Sequence, residues 1–121
     1  MRKKVLIVDD NEKNLMLAKD LLEVAGFEVL EADDAASGIA IARKEKPDII
    51  IMDVRLPDMR GFDAAKLIRQ DENTRDIPIV FVTASVMADD KTALNDITNS
   101  GFIGKPINTR TFARELRQYI R

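Results

Sequence analysis

Val5-Leu6-Ile7-Val8-Asp9-Asp10, Ile49-Ile50-Ile51-Met52-Asp53 and Ile79-Val80-Phe81-Val82-Thr83 decide how the rest of the chain is read. Each opens with four consecutive apolar residues, rich in β-branched types and too few for a helix. Continuous apolar runs of this length suit strands buried on both faces, as in a parallel sheet covered by helices. Phe27 to Ala32 carries Glu28 and Glu31 and fits an edge strand, and Phe102-Ile103-Gly104 is a short fifth candidate. Between the runs lie helical spacings. Asn14, Leu17/Ala18, Leu21/Leu22 and Ala25 mark a first helix, with Gly26 as its stop. Ala36, Ile39/Ala40 and Ala42/Arg43 mark a second, closed by Lys46-Pro47. Ala64/Ala65 and Leu67/Ile68 mark a third, which must end before Ile77-Pro78, and Met87, Leu94 and Ile97 mark a fourth. Phe112, Leu116 and Ile120 fall on one face of the last helix, with Asn108 or Thr109 as its N-cap. Strands alternating with helices imply βαβ units. The expected fold is α/β: a three-layer, doubly wound sandwich on a five-stranded parallel sheet in the flavodoxin-like order 2-1-3-4-5. That order puts the polar second strand at an edge.

Composition sets the limits within which this fold must work. The chain has 121 residues, 45% hydrophobic and 33% charged, with no internal repeat or low-complexity linker, so 1–121 reads as one domain. No apolar run approaches the roughly 20 residues of a membrane span. Met1-Arg2-Lys3-Lys4 is basic, but the apolar run behind it stops at Asp9-Asp10, unlike a signal peptide. The expected location is the cytoplasm. There is no cysteine and no histidine, which excludes disulfides, Cys/His zinc sites, thiol nucleophiles and histidine bases. Net charge is −2 with both signs dispersed, so no basic stripe marks a nucleic-acid surface.

The residue after each apolar run carries the chemistry. Asp9-Asp10 follow the first, Asp53 the third, Thr83-Ala84-Ser85 the fourth and Lys105-Pro106 the fifth. In a parallel sheet all of these emerge at the carboxyl edge, where doubly wound proteins bind ligands beside the switch between strands 1 and 3. Singly, each has a plainer reading: an Asp that caps the next helix, a turn threonine, a solvated lysine. Asp53 resists that reading because no helix starts directly after it; Leu56-Pro57-Asp58-Met59-Arg60-Gly61 intervenes as a loop. Clustered carboxylates repel, and one lysine cannot neutralise them, so a proton or a cation is required. A hard divalent ion with oxygen ligands answers this, and Mg²⁺ is usual where phosphate is handled. With no His or Cys, the available nucleophile is a carboxylate, which can form an aspartyl phosphate. A metal, a lysine and a hydroxyl donor are what phosphoryl transfer asks of its surroundings.

Val8-Asp9-Asp10-Asn11, Met52-Asp53-Val54-Arg55-Leu56-Pro57 with Gly61, Val82-Thr83-Ala84 and Gly104-Lys105-Pro106 together resemble the receiver domain of two-component response regulators. The resemblance runs over essentially the whole chain, in order and at family spacing. It implies that Asp53 is the phosphoacceptor, charged from phosphohistidine on a sensor histidine kinase or a histidine phosphotransfer protein. It also implies that Asp10 and Asp53 ligate Mg²⁺, that Asp9 assists through water, and that the backbone carbonyl of Arg55 completes the protein ligands. Lys105 would pair with the phosphoryl oxygens, Thr83 would hydrogen-bond to them, and Phe102 would be the switch aromatic that turns inward. A downstream protein would read the change on the face of the fourth helix, fifth strand and fifth helix. Two positions depart from the family: Asp96-Ile97-Thr98-Asn99-Ser100-Gly101 replaces a Gly-Ala-type turn, and Gly104 stands where a hydroxyl residue is common.

Three rivals share parts of this pattern. A Mg²⁺-dependent phosphatase with an aspartate nucleophile resembles Asp-x-Asp after strand 1, against Asp9-Asp10-Asn11 here, and needs a cap domain. A flavin-binding electron carrier of this fold needs a Ser/Thr/Gly-rich phosphate loop where Asp9-Asp10 would repel phosphate. A pseudo-receiver acting without phosphorylation typically loses a catalytic residue, and here the set is complete. The expected activity is therefore self-phosphorylation and autodephosphorylation, without turnover of a separate substrate. Whether such a receiver stands alone or heads a longer protein stays open.

Overall fold

The apolar runs form the central strands: β1 (Lys4–Val8), β3 (Ile49–Asp53) and β4 (Ile79–Thr83), joined by β2 (Glu28–Ala32) and β5 (Ser100–Gly104). The computed structural model describes residues 2–83, 100–104 and 108–120. All pairings are parallel and the order is β2-β1-β3-β4-β5, as the hydrophobic runs require. Val5 to Val8 and Ile49 to Met52 are buried throughout, whereas edge strand β2 exposes Glu28 and Glu31, half-covers Val29 and Leu30 and buries Ala32. Successive side chains on each strand point to opposite faces, so the same runs supply two cores. Leu6, Val8, Ile50, Met52, Ile79 and Phe81 face one side. Val5, Ile7, Ile49, Ile51, Val80 and Val82 face the other.

Helices α1 (Glu12–Val24), α2 (Ala35–Glu45) and α3 (Gly61–Gln70) and a C-terminal helix (Phe112–Arg117) cover those faces. α1 and the C-terminal helix bury Ala18, Leu22, Phe112 and Leu116 on the Val5 side. α2 and α3 bury Ile39, Ala42, Phe62 and Ile68 on the Leu6 side. Each fully buried Leu, Ile or Phe contributes about 1.5–3 kcal/mol, so these faces hold the sandwich together. The caps are local. Asn11 accepts from the Asn14 N–H at the start of α1, and Asp34 accepts from the Ser37 N–H at the start of α2. Gly26, at φ 97°, turns the chain out of α1 as expected of a stop residue.

Two details of the helices differ from the sequence reading. The last helix begins at Phe112, with Thr111 in the cap position, and ends at Arg117. Asn108 instead accepts from the Arg110 N–H through its side chain and from the Thr111 and Phe112 N–H groups through its carbonyl. It thus opens a preliminary turn, and Ile120 packs on the core from beyond the helix. Leu67 is 41% exposed, so α3 anchors through Phe62, Ala64, Ala65 and Ile68. The fourth helix expected around Leu94 and Ile97 lies outside the described residues. Among the described residues, no helix is long and apolar enough to cross a membrane.

Candidate metal and phosphoacceptor centre

Val8 pairs with Met52, and Asp53 pairs with Val82, so β1, β3 and β4 reach their carboxyl ends at one level. Asp9 and Asp10 leave β1 there, beside Asp53 at the end of β3. One oxygen from each of Asp9, Asp10 and Asp53 lies within 4.8 Å of the others. Asp9 is buried, Asp53 half-buried and Asp10 exposed, a gradient that runs from the sheet to solvent. Asp9 sits in a polar frame: its N–H donates to the Ala32 carbonyl at 3.1 Å, and its Oδ1 accepts from the Asn11 N–H at 2.9 Å. Asp53 Oδ1 accepts from the Arg55 N–H at 3.1 Å, which folds the following residues back over the strand end.

The donor set fits a hard cation. Oxygens sharing one Mg²⁺ at about 2.0–2.1 Å lie at most about 4.2 Å apart. A spread of 4.8 Å therefore closes by small side-chain adjustments, or with water as one bridge. The set is all oxygen, which suits Mg²⁺ over softer metals.

The β3–α3 loop is organised around the same point. The Gly61 N–H donates to the Val54 carbonyl at 2.7 Å, and Arg55 and Arg60 form an antiparallel bridge. Gly61 sits so close to the Asp53 carbonyl that a Cβ there would collide with backbone. This explains a glycine eight positions after Asp53, whose reason the sequence alone conceals. Asp58, at the far side of the loop, accepts from the Ala35 and Ala36 N–H groups of α2, both at 2.9 Å. Sequence reading assigned no role to Asp58, because its partners lie 22 and 23 residues away and no local spacing signals them.

Of the remaining predicted site residues, Thr83 closes β4 and pairs with Gly104, and Phe102 pairs with Phe81 in the middle of β5. Lys105 follows the end of β5 and lies outside the described residues. Arg55 lies in the loop directly after the acidic cluster. An open cavity of about 590 Å³ adjoins the centre, lined by Asp10 and, along α1, by Glu12, Leu15 and Met16. Met16 is 61% exposed and Leu17 41%, as expected when four apolar neighbours, Leu15 to Ala18, share one helix.

Comparison with known proteins gives the centre its context. Residues 5–117 match the response regulator receiver domain family. The chain is 35% identical over 120 residues to the polar-differentiation response regulator DivK of Brucella ovis, covering 99% of this chain and 98% of that protein. It superposes on the chemotaxis response regulator CheY4 of Vibrio cholerae with a TM-score of 0.92 at 31% identity, covering 99% and 100% of the two chains. The receiver domain of a sensor histidine kinase from Pseudomonas aeruginosa is similar at a TM-score of 0.89 and 28% identity, over 98% of each chain. That structure has a magnesium ion coordinated in its active-site cleft.

Proposed function

The chain belongs to the response regulator receiver family, and we propose that it accepts a phosphoryl group on Asp53 in the presence of Mg²⁺. The observation that carries this reading is the convergence of Asp9, Asp10 and Asp53 oxygens within 4.8 Å at one sheet edge. In the proposed reaction a carboxylate oxygen of Asp53 attacks the phosphorus of a phosphohistidine. The new P–O bond forms as the P–N bond breaks, and the imidazole leaves with the electron pair of that bond. Asp10 and Asp53 would hold the cation, the Arg55 carbonyl would add a backbone ligand, and Asp9, whose carboxylate already accepts from the Asn11 N–H, would act through water. Bound there, Mg²⁺ would supply positive charge to the phosphoryl oxygens. Lys105 would pair with those oxygens and Thr83 would hydrogen-bond to them, with Phe102 turning inward in response.

As a regulator, the protein takes its signal from a sensor histidine kinase or a histidine phosphotransfer protein in the cytoplasm. It passes the signal to a downstream protein on the face of the fourth helix, β5 and the C-terminal helix. Residues 1–121 work as one receiver unit without turnover of a separate substrate. Intact-mass measurement after incubation with acetyl phosphate and Mg²⁺ tests the core of this reading. A single phosphoryl adduct is expected on the native protein, and none on Asp53→Asn or in excess chelator. A full adduct on Asp53→Asn, or one indifferent to chelator, would overturn the assignment; no adduct on the native protein would favour a pseudo-receiver.

A further inference from the structure

We infer that Asp58 is a positioning residue for the cation centre: its carboxylate ties the loop carrying the Arg55 carbonyl to the first turn of α2. The first N–H groups of a helix have no partner within it and must be satisfied from outside. Asp34 takes the Ser37 N–H, and a helix of this length could stop there. Instead a second carboxylate, from the β3–α3 loop, takes the Ala35 and Ala36 N–H groups with one oxygen each.

The position of that contact gives it consequence. The loop is rooted on β3 by the Gly61 to Val54 hydrogen bond and the Arg55–Arg60 bridge. Leu56 and Met59 pack beneath it on the α2–α3 side of the core. Such apolar contact is non-directional and leaves orientation to polar bonds. α2 in turn sits directly on β1, where Gly38 faces the Val8 side chain so closely that a Cβ would lie 2.8 Å from Val8 Cγ2. Val8 precedes Asp9 and Asp10. The donors therefore come from two strand ends, and Asp58 couples the loop of one to the helix seated on the other. A charge-assisted pair of bonds at a helix N-terminus is well suited to hold that registration.

The inference rests on the acidic centre binding Mg²⁺. Titrating Mg²⁺ into the unphosphorylated protein, followed by backbone amide NMR, tests it without any reaction. Asp58→Ala is expected to weaken Mg²⁺ binding about tenfold, the loss typical when the group that orients a ligand is removed. Asp34→Ala removes the same charge and a cap from the same helix end, where Asp34 bonds Ser37 and not the loop, and should bind Mg²⁺ within about twofold of the native protein. Asp58→Asn keeps one acceptor and should fall between the native protein and Asp58→Ala, which also serves if the alanine variant does not fold. Equal weakening by Asp34→Ala and Asp58→Ala, or native affinity in Asp58→Asn, would overturn the positioning role. Absence of Mg²⁺ binding by the native protein would instead overturn the proposed centre itself.

Discussion

Single carboxylates in this protein differ according to the donors around them. The Ala35 and Ala36 N–H groups hold the Asp58 carboxyl below the usual carboxylate range. At Asp71 the Asn73 N–H does the same, with the Arg43 guanidinium 2.7 Å away adding to it. A carboxyl held below its unfolded value of about 3.9 contributes stability that is fully present above that value. The contribution is lost as pH falls through the lowered folded-state value. Urea midpoints measured from pH 7 down to acid are expected to place Asp58→Asn and Asp71→Asn below the native protein at neutral pH. The gap should close as the medium passes below the ordinary carboxylate range. A gap that stays constant across that range would show that the variants act through shape and not through charge. Asp58 is exposed and Asp71 half-buried, so salt should narrow the gap at neutral pH as well, and more for Asp58.

At the scale of elements, α1 and α2 meet the sheet in opposite ways, and each makes a prediction. α1 keeps Met16 exposed beside Asp10, along the open cavity next to the centre. Under the proposed phosphotransfer, an apolar side chain there would offer a contact to the helices of a phosphodonor protein. Met16→Ser should therefore slow transfer from such a donor and leave the rate from acetyl phosphate unchanged; equal slowing with both would indicate damage to the centre. α2, by contrast, lies so close to β1 that Gly38 has no room for a side chain beside Val8. Alanine usually gains about 1 kcal/mol over glycine inside a helix. Here overpacking against a stiff β-branched neighbour should cost about 1–3 kcal/mol and outweigh the gain. Gly38→Ala is thus expected to lower the urea midpoint, and an unchanged or raised midpoint would mean that α2 rides outward at no cost. These contacts also mark how far the sequence could be read. Strand order and the meeting of Asp9, Asp10 and Asp53 were legible because burial on both faces writes continuous apolar runs, and a parallel sheet sends every run's next residue to one edge. The Asp58 latch and the start of the C-terminal helix were not. The first depends on tertiary contact between distant segments, and the second on Asn108 spending its side chain on an earlier turn.

The whole molecule bears the repulsion of its acidic centre, because the backbones carrying the clustered carboxylates are anchored at the ends of β1 and β3 and side-chain rotation alone separates the charges only a little. Like charges held together destabilise the state that holds them, whereas the unfolded chain lets them disperse. A ligand that binds only the folded state reverses the balance, contributing about 2.7 kcal/mol at a hundred times its dissociation constant. Mg²⁺ should therefore raise the melting temperature of the native protein, and by more at low ionic strength, where the repulsion is least screened. Asp53→Asn removes one of the charges and one of the ligands at once. The two effects predict a crossing: in chelator the variant should melt above the native protein, and in saturating Mg²⁺ below it. Thermal unfolding of both proteins under both conditions gives the four numbers needed. A variant less stable than the native protein even in chelator would mean that Asp53 is held mainly by favourable hydrogen bonds, such as that from the Arg55 N–H. A native protein indifferent to Mg²⁺ would remove the cation from the account. The crossing itself would show a fold that gives up stability at this edge to keep a charged centre ready for a metal and a phosphoryl group.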